Sequence, residues 1–399
     1  MLLVCDDEGL LGKELLAIDG CKMSSNAAKE WSGTFQEFSE KHQKIKRQIK
    51  HHLREHQRED QATEDRDARQ QRAEQAIETL NKAADKIEQF LKEAEPRKGQ
   101  GKRKSEVKSN ITDNESGKMT TSKGTIQGFN GVATVDKKHQ IVVDAQAFGE
   151  GQEHHTLEPV LESIKDRFNR LEISADIYKT GMIVTVDTGF ANESNMKYLH
   201  ENSSNGYIPD NQFRSRDPKF TDQKTKYGKR KQHLRKTKLA ELILASEFNF
   251  DPVNQICVCP AGNQISHRDE REDGNGNTKV YFEGRLSQCK NCDIKHQCMK
   301  NPESANHRKG SGRQVSFILE NKRAPNYTDW MKHRVDSAKG KQIYSHRMSV
   351  VEPVFGNIGT NKGLNRFSLR GKEKVTGQWQ LFCLVHNIEK LCNYGQLAA

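Results

Sequence analysis

Apolar residues recur along this chain with two different periods, and each predicts its own kind of element. Leu15, Leu16 and Ile18 in KELLAIDG, and Ile183, Val184 and Val186 in MIVTVD, are short runs suited to buried strands, and each closes on an aspartate. GFNGVATVD and QIVVDAQAF read as two strands of a hairpin joined by the polar turn around Asp136, Lys137 and Lys138. Leu157, Val160, Leu161, Ile164, Phe168 and Leu171 then return at helical spacing on one face. NESNMKYLHENS predicts another helix, capped by Asn192 and Glu193, and GYIPD a further strand. Strand, hairpin, helix, strand, helix, strand describes an α/β core built on a mixed sheet.

Long polar stretches interrupt this core. From about Glu37 to Glu95 Gly and Pro are all but absent, which predicts helix. Ile77, Leu80, Ala84, Ile87 and Leu91 form the seam of a coiled coil or helical hairpin, and the polar stretch from Arg54 to Arg72 predicts a break. Pro96 ends the helix, and RKGQGKRKSEVKSN follows as a basic linker. Residues 211–247 are again basic, around KTKYGKRKQHLRKTK. VSFILE predicts one more strand, and DWMKHRVDSAKGKQIYSHRMSVVEPVFGNI a long helical region carrying Glu352, with a kink or helix start at Pro353. WQLFCLVHNIEKLCNYG is an apolar helix expected to pack back on the core. The expected segments are 1–36, a first core strand; 37–124, a helical insertion and basic linker; 125–213, the core; 214–312, a basic and cysteine-rich insertion; and 313–399, a core strand with the C-terminal helices.

Composition narrows the partners. Of 399 residues 33% are hydrophobic and 30% charged, so part of the chain is solvated helix or linker around one sizeable core. A formal net charge of +11 favours a polyanionic partner without choosing which. No apolar run approaches the roughly 20 residues of a membrane span. MLLVCDDEGL has acids where a signal peptide carries bases, so a cytoplasmic location is expected.

Three acids carry the candidate chemistry. Asp19 and Asp187 stand where apolar strands end, the place where active sites of open α/β sheets collect, and Glu352 lies in HRMSVVEPVFG. Such a trio suits hard divalent cations that clamp the attacking and leaving oxygens of a phosphodiester. Asp136, Asp144 and Glu153 are read as caps and turn acids; His154 and His155 stand just before a helix, where they either cap it at the surface or approach the metal site.

Five of the nine cysteines crowd one region. Cys257 and Cys259 precede Cys289-x2-Cys292-x5-Cys298, a grouping that reads as a metal site before it reads as disulfides. Cys259, Cys289, Cys292 and Cys298 are the expected ligands, with Cys257 spare. Zinc and an iron–sulfur cluster both fit the spacing.

AIDGCKMSSNA, DKKHQIVVDAQAFGEGQEHHTLEPV, DTGFANESNMKYLHENSSNGYIPDN, CPAG, the cysteine cluster and VEPVFGNI…LNRFSLRGKEKV…HNIEKL together resemble bacterial DDE insertion-sequence transposases. The likeness is to the IS-four-like enzymes of the insertion-sequence eleven-eighty-two group and covers nearly the whole chain. It implies a ribonuclease-H-like mixed-sheet core, with a long helical insertion and a cysteine-rich metal-binding insertion. It also implies Asp19, Asp187 and Glu352 as a triad holding Mg²⁺ or Mn²⁺. Double-stranded DNA, as terminal inverted repeats and target, would be the substrate of a homodimer in a synaptic complex at the bacterial nucleoid. Tyr344 and Arg347 precede the third acid as in the group's signature, but Arg347 to Glu352 is one residue longer than usual and Lys362 lies farther downstream. Tyr344, Arg347, Arg366, Arg370 and Lys372 are the candidate DNA contacts. Only 18 residues precede Asp19, so the expectation is an amino-terminally truncated chain. A nuclease that does not join strands, or an inactive DNA-binding remnant, are the alternatives.

Overall fold

Strand β1, Leu15–Ser24, organises the larger part of the molecule because both of its edges are paired in different senses. On one side it runs antiparallel to β5, Gly124–Asp136; on the other it runs parallel to β7, Ile183–Val186. The structure is a computed structural model describing residues 1–59, 66–99, 104–122, 124–174, 176–220, 242–273, 277–320 and 326–396. The chain divides into two compact units, Met1–Phe213 with Tyr327–Ala399, and Arg214–Asn326.

In the first unit, β6, Val142–Phe148, pairs antiparallel with the second half of β5, and β4, Gly117–Thr121, with its first half. β8, Asn205–Tyr207, lies parallel to β7 at the other edge. The order β6-β5-β1-β7-β8, with two antiparallel and two parallel pairings, is a mixed sheet that fits the ribonuclease-H-like core. The expected hairpin, helices and strands are present here.

Alternation along the strands separates two cores. Leu16, Ile18, Val132 and Val143 face α4, Leu157–Arg170, and α5, Glu193–Glu201. Leu15, Ala17, Ala133, Val135 and Val142 face Val350, Val351 and Val354 of the Arg347–Gly356 helix and Val375 and Trp379 of the last helix, Lys372–Tyr394. The last helix thus packs on the sheet as its apolar pattern predicts, and the Trp379 indole N–H donates to the Val132 carbonyl at 3.0 Å.

Two local expectations are corrected. The apolar run ends at Ile18, but β1 continues to Ser24, so Asp19 is mid-strand on the β5 side. Pro353 starts no helix: it sits inside the Arg347–Gly356 helix. A proline there lacks the N–H that would bond the carbonyl four residues back. That carbonyl, of Ser349, accepts instead from Gln140 Nε2 at 3.0 Å. The long helical region is three helices, Tyr327–Asp336, Ala338–Ser345 and Arg347–Gly356; Ser337 Oγ caps the second by accepting from the Gly340 N–H.

Between β1 and β4, α2, Phe35–Glu59, and α3, Arg66–Glu93, form a hairpin closed by Phe38, Ile45, Ala84 and Ile87. A two-stranded pairing of β2, Ser32–Gly33, with β3, Ser109–Asn110, joins its ends. The break expected between Arg54 and Arg72 falls at residues 60–65, outside the described residues, as do part of the first basic linker and the whole KTKYGKRKQHLRKTK segment.

The second unit is a five-stranded antiparallel sheet of β9, Asn249–Asp251, β10, Ile256–Val258, β11, Gln264–Glu272, β12, Thr278–Glu283, and β13, Gln314–Glu320. β13 contains the expected VSFILE strand, which joins this sheet rather than the core sheet. Phe248, Cys257, Ile265, Val280, Phe282 and Val315 are buried in its small core. Among the described residues no helix is long and apolar enough to cross a membrane.

Candidate active site

The parallel register of β1 and β7 ends at the pair Ile18–Val186, so Asp19, still within β1, and Asp187, just past the end of β7, come next side by side. Both follow an odd-numbered residue of the same face, Ala17 and Thr185, which are themselves paired. That face carries the Arg347–Gly356 helix, and Arg347 comes down on both acids. Its Nη2 lies 2.8 Å from Asp19 Oδ2 and its Nη1 3.6 Å from Asp187 Oδ1. Arg347 is only 4% exposed, and its Nε and Nη2 make no directed hydrogen bond among the described residues. The contact to Asp19 is therefore close in distance but held by charge rather than by hydrogen-bond geometry.

Asp19 also accepts from the Gly20 N–H at 2.8 Å. Burial pushes its carboxyl up to about 6; Arg347 and the Gly20 N–H oppose the rise, and Asp187 and Glu153 add to it. The cleft above the two acids, of about 690 Å³, is lined among others by Lys22, Glu153, His154, Thr188 and Gly189.

Glu153 was read from the sequence as a turn acid, and the structure puts it in this cleft. Its Oε1 accepts from Asn130 Nδ2 at 3.0 Å. Burial raises its carboxyl above the ordinary value; Asn130, Lys22 and Arg347 oppose the rise, and Asp187 adds to it. The sequence held one usable signal: a glycine directly follows Asp19 and another lies two residues after Asp187. A Cβ on Gly20 or Gly189 would fall 2.6 Å or 2.0 Å from a Glu153 carboxylate oxygen. Asp136 and Asp144 are structural. Asp136 accepts from the backbone N–H groups of Gly12, Lys13 and Lys138, and Asp144 pairs with Arg167 at 2.9 Å.

Glu352 rides on the same helix as Arg347 but is exposed and does not line the cleft. Five residues on a helix turn a side chain about 140° away. Its charge reaches Cys21, two residues beyond Asp19 on the same face of β1; burial chiefly raises that thiol, with Asp19, Glu153 and Glu352 adding. Tyr344 stacks edge-on against Phe213, with ring centroids 5.2 Å apart. Arg366 and Arg370, between this helix and the last one, and Lys372, the first residue of the last helix, are exposed; the two arginines donate to Oδ1 and the backbone carbonyl of Asn26. Phe367 between them is fully buried against Trp379.

In the second unit Cys259, Cys289, Cys292 and Cys298 line one small cavity of about 30 Å³, while Cys257 is buried in the core. Burial raises the Cys298 thiol; Arg313 opposes this, and Cys289, Cys259 and Cys292 add to it. Among the described residues, no group of three or more His, Cys, Asp and Glu side chains stands ready to hold a metal ion, here or at the acids. The cysteines share a cavity without coordination geometry, and at the acids a guanidinium occupies the space between the carboxylates.

Residues 258–392 match the family model described as "Transposase DDE domain". The matched span contains Arg347, Glu352 and the four cavity cysteines and leaves Asp19, Glu153 and Asp187 outside it. No curated protein and no solved structure matches the chain. The matched family supports transposition, hence DNA as partner and a nuclease or transferase chemistry.

Proposed function

We propose that the chain is a DDE transposase that cuts DNA at the end of an insertion sequence and joins that end to a target. The observation that carries the reading is the side-by-side placement of Asp19 and Asp187, bridged by Arg347. A site that holds a buried cation against two carboxylates has the charge and oxygen donors that a divalent ion requires. Asp19 and Asp187 would hold Mg²⁺ or Mn²⁺, with Glu352 as the third acid of the triad. Such an ion, when bound, activates a nucleophilic oxygen and neutralises charge on the leaving oxygen.

In the first step water bonds to phosphorus and the P–O3′ bond breaks, freeing a 3′-hydroxyl. In the second that hydroxyl bonds to a target phosphorus and displaces the target's own 3′ oxygen. The protein's part is positioning, since phosphoryl transfer leaves it little covalent work. Exposed Arg366, Arg370 and Lys372 supply charge for the phosphate backbone, which fixes register without reading sequence. Arg347, with Tyr344 on the helix before it, would contact DNA once released from the acids. The substrate is double-stranded DNA bearing terminal inverted repeats, brought together by a homodimer in the bacterial cytoplasm.

A strand-transfer assay with labelled element ends tests this. Joined products that disappear in Glu352→Gln support the reading. Cutting without joining makes the protein a nuclease, and binding without cutting makes it an inactive DNA-binding remnant.

We further propose that Cys259, Cys289, Cys292 and Cys298 take one zinc ion. Four thiols lining one small cavity supply the number and kind of ligands that a tetrahedral zinc ion takes. Metal analysis of the purified protein should find about one zinc per chain, lost in Cys289→Ser. Iron in its place, or no metal after anaerobic purification, contradicts the assignment.

A further inference from the structure

The geometry points to Glu153 as a further carboxylate of the Asp19–Asp187 centre, a ligand to the same divalent cation, with Arg347 as the internal cation that holds the cluster when that ion is absent. This rests on the metal-dependent reading of Asp19 and Asp187.

Glu153 reaches the centre from the stretch between β6 and α4, far in sequence from both aspartates. Its two carboxylate oxygens lie against the two glycines that follow the aspartates, Oε1 near Gly20 and Oε2 near Gly189. A Cβ at either position would displace this carboxylate, so the backbone beside both aspartates leaves room for it. Three acids therefore converge, with Lys22 and Arg347 bringing positive charge to Glu153.

Two buried groups beside the acids carry polar atoms without a directed hydrogen bond among the described residues. Arg347, almost wholly buried, points its guanidinium at Asp19 and Asp187, yet two of its nitrogens have no directed hydrogen bond among the described residues. Asn130, fully buried beside Gly20 and bonded through Nδ2 to Glu153, leaves its Oδ1 without a partner among the described residues. Carboxylates crowded together do not all ionise cheaply unless a cation neutralises them. A single delocalised guanidinium balances one charge and cannot accept ligands in an octahedral arrangement. A divalent ion balances two and takes oxygen donors from all three acids. Binding it requires Arg347 to withdraw, which would free that side chain for the phosphate of a bound strand.

The test is Mn²⁺ binding to the full-length chain by calorimetry, without DNA, for wild type, Glu153→Gln, Glu153→Asp and Asp187→Asn. Glu153→Gln keeps the shape and the Asn130 contact and should weaken Mn²⁺ binding about tenfold or more, as Asp187→Asn does. Glu153→Asp keeps the charge but draws it back and should fall between Glu153→Gln and wild type. Affinity of Glu153→Gln and Glu153→Asp within about twofold of wild type, with Asp187→Asn weakened, overturns the assignment of Glu153 and leaves the two aspartates standing. Equal Mn²⁺ binding by wild type and Asp187→Asn, or none by wild type, removes the metal centre itself and this inference with it.

Discussion

Gly189 is a single residue on which the account of the centre can be tested. Its missing Cβ leaves the space that Glu153 Oε2 occupies. Gly189→Ala must push that carboxylate aside, and because the clash is with the end of a flexible side chain, the fold should tolerate it. The expected result is a change in stability within about 1 kcal/mol in urea titration, together with weaker Mn²⁺ binding. The loss should vanish in a Glu153→Gln background, since residues acting through one contact are not additive. Asp19 and Asp187 were legible because each terminates an apolar run. Glu153 was not, because GEGQEHHT has no period and its position is set by contacts with Asn130 and, across more than a hundred residues, with Gly20. Glu352 was singled out as the third acid of the trio, and its helical phase relative to Arg347 could be known only once the helix was seen to run through Pro353.

At the scale of elements, the last helix carries two checks. Trp379 is fully packed between Phe355 and Phe367 and anchors the helix to β5 through Val132. Trp379→Ala should cost about 3–5 kcal/mol of stability by denaturant unfolding. Farther along, His386 Nε2 faces the Gln140 carbonyl at 2.9 Å and Nδ1 faces Asn357 Nδ2 at 3.0 Å. Nε2 then donates and Nδ1 accepts, which is a neutral imidazole. Burial holds its value below the ordinary one, helped by Lys390 and Lys362. A depressed histidine favours folding above the unfolded-state value near 6.5 and loses that contribution as pH falls below it. Thermal unfolding between pH 8 and 5 should show this slope in the wild type and a reduced slope in His386→Gln. The helix was readable from its apolar content, but its polar anchors were not. The strands of the second unit were less legible still: QISHRDERE is mostly exposed, so no alternation marked it.

For the whole molecule, a positively charged chain with exposed Arg366, Arg370 and Lys372 near the helix that carries Arg347 should bind DNA with a steep dependence on salt. Arg370→Ala should weaken binding to related and unrelated duplexes alike and flatten the salt slope by about one unit, measured by fluorescence anisotropy. The mixed sheet followed from the apolar pattern because buried strands must be apolar; its strand order is seen only in the structure. The division into units did not, since β13 reads like a core strand and pairs elsewhere. The central claim remains that Asp19 and Asp187 form a cation-dependent centre for cutting DNA. The most direct measurement is nicking of a labelled duplex bearing the element's terminal repeat, with and without Mg²⁺, by wild type and Asp187→Ala. The account predicts Mg²⁺-dependent nicking by the wild type, lost in the variant while DNA binding persists. Equal nicking by both proteins, or nicking indifferent to Mg²⁺, would contradict it.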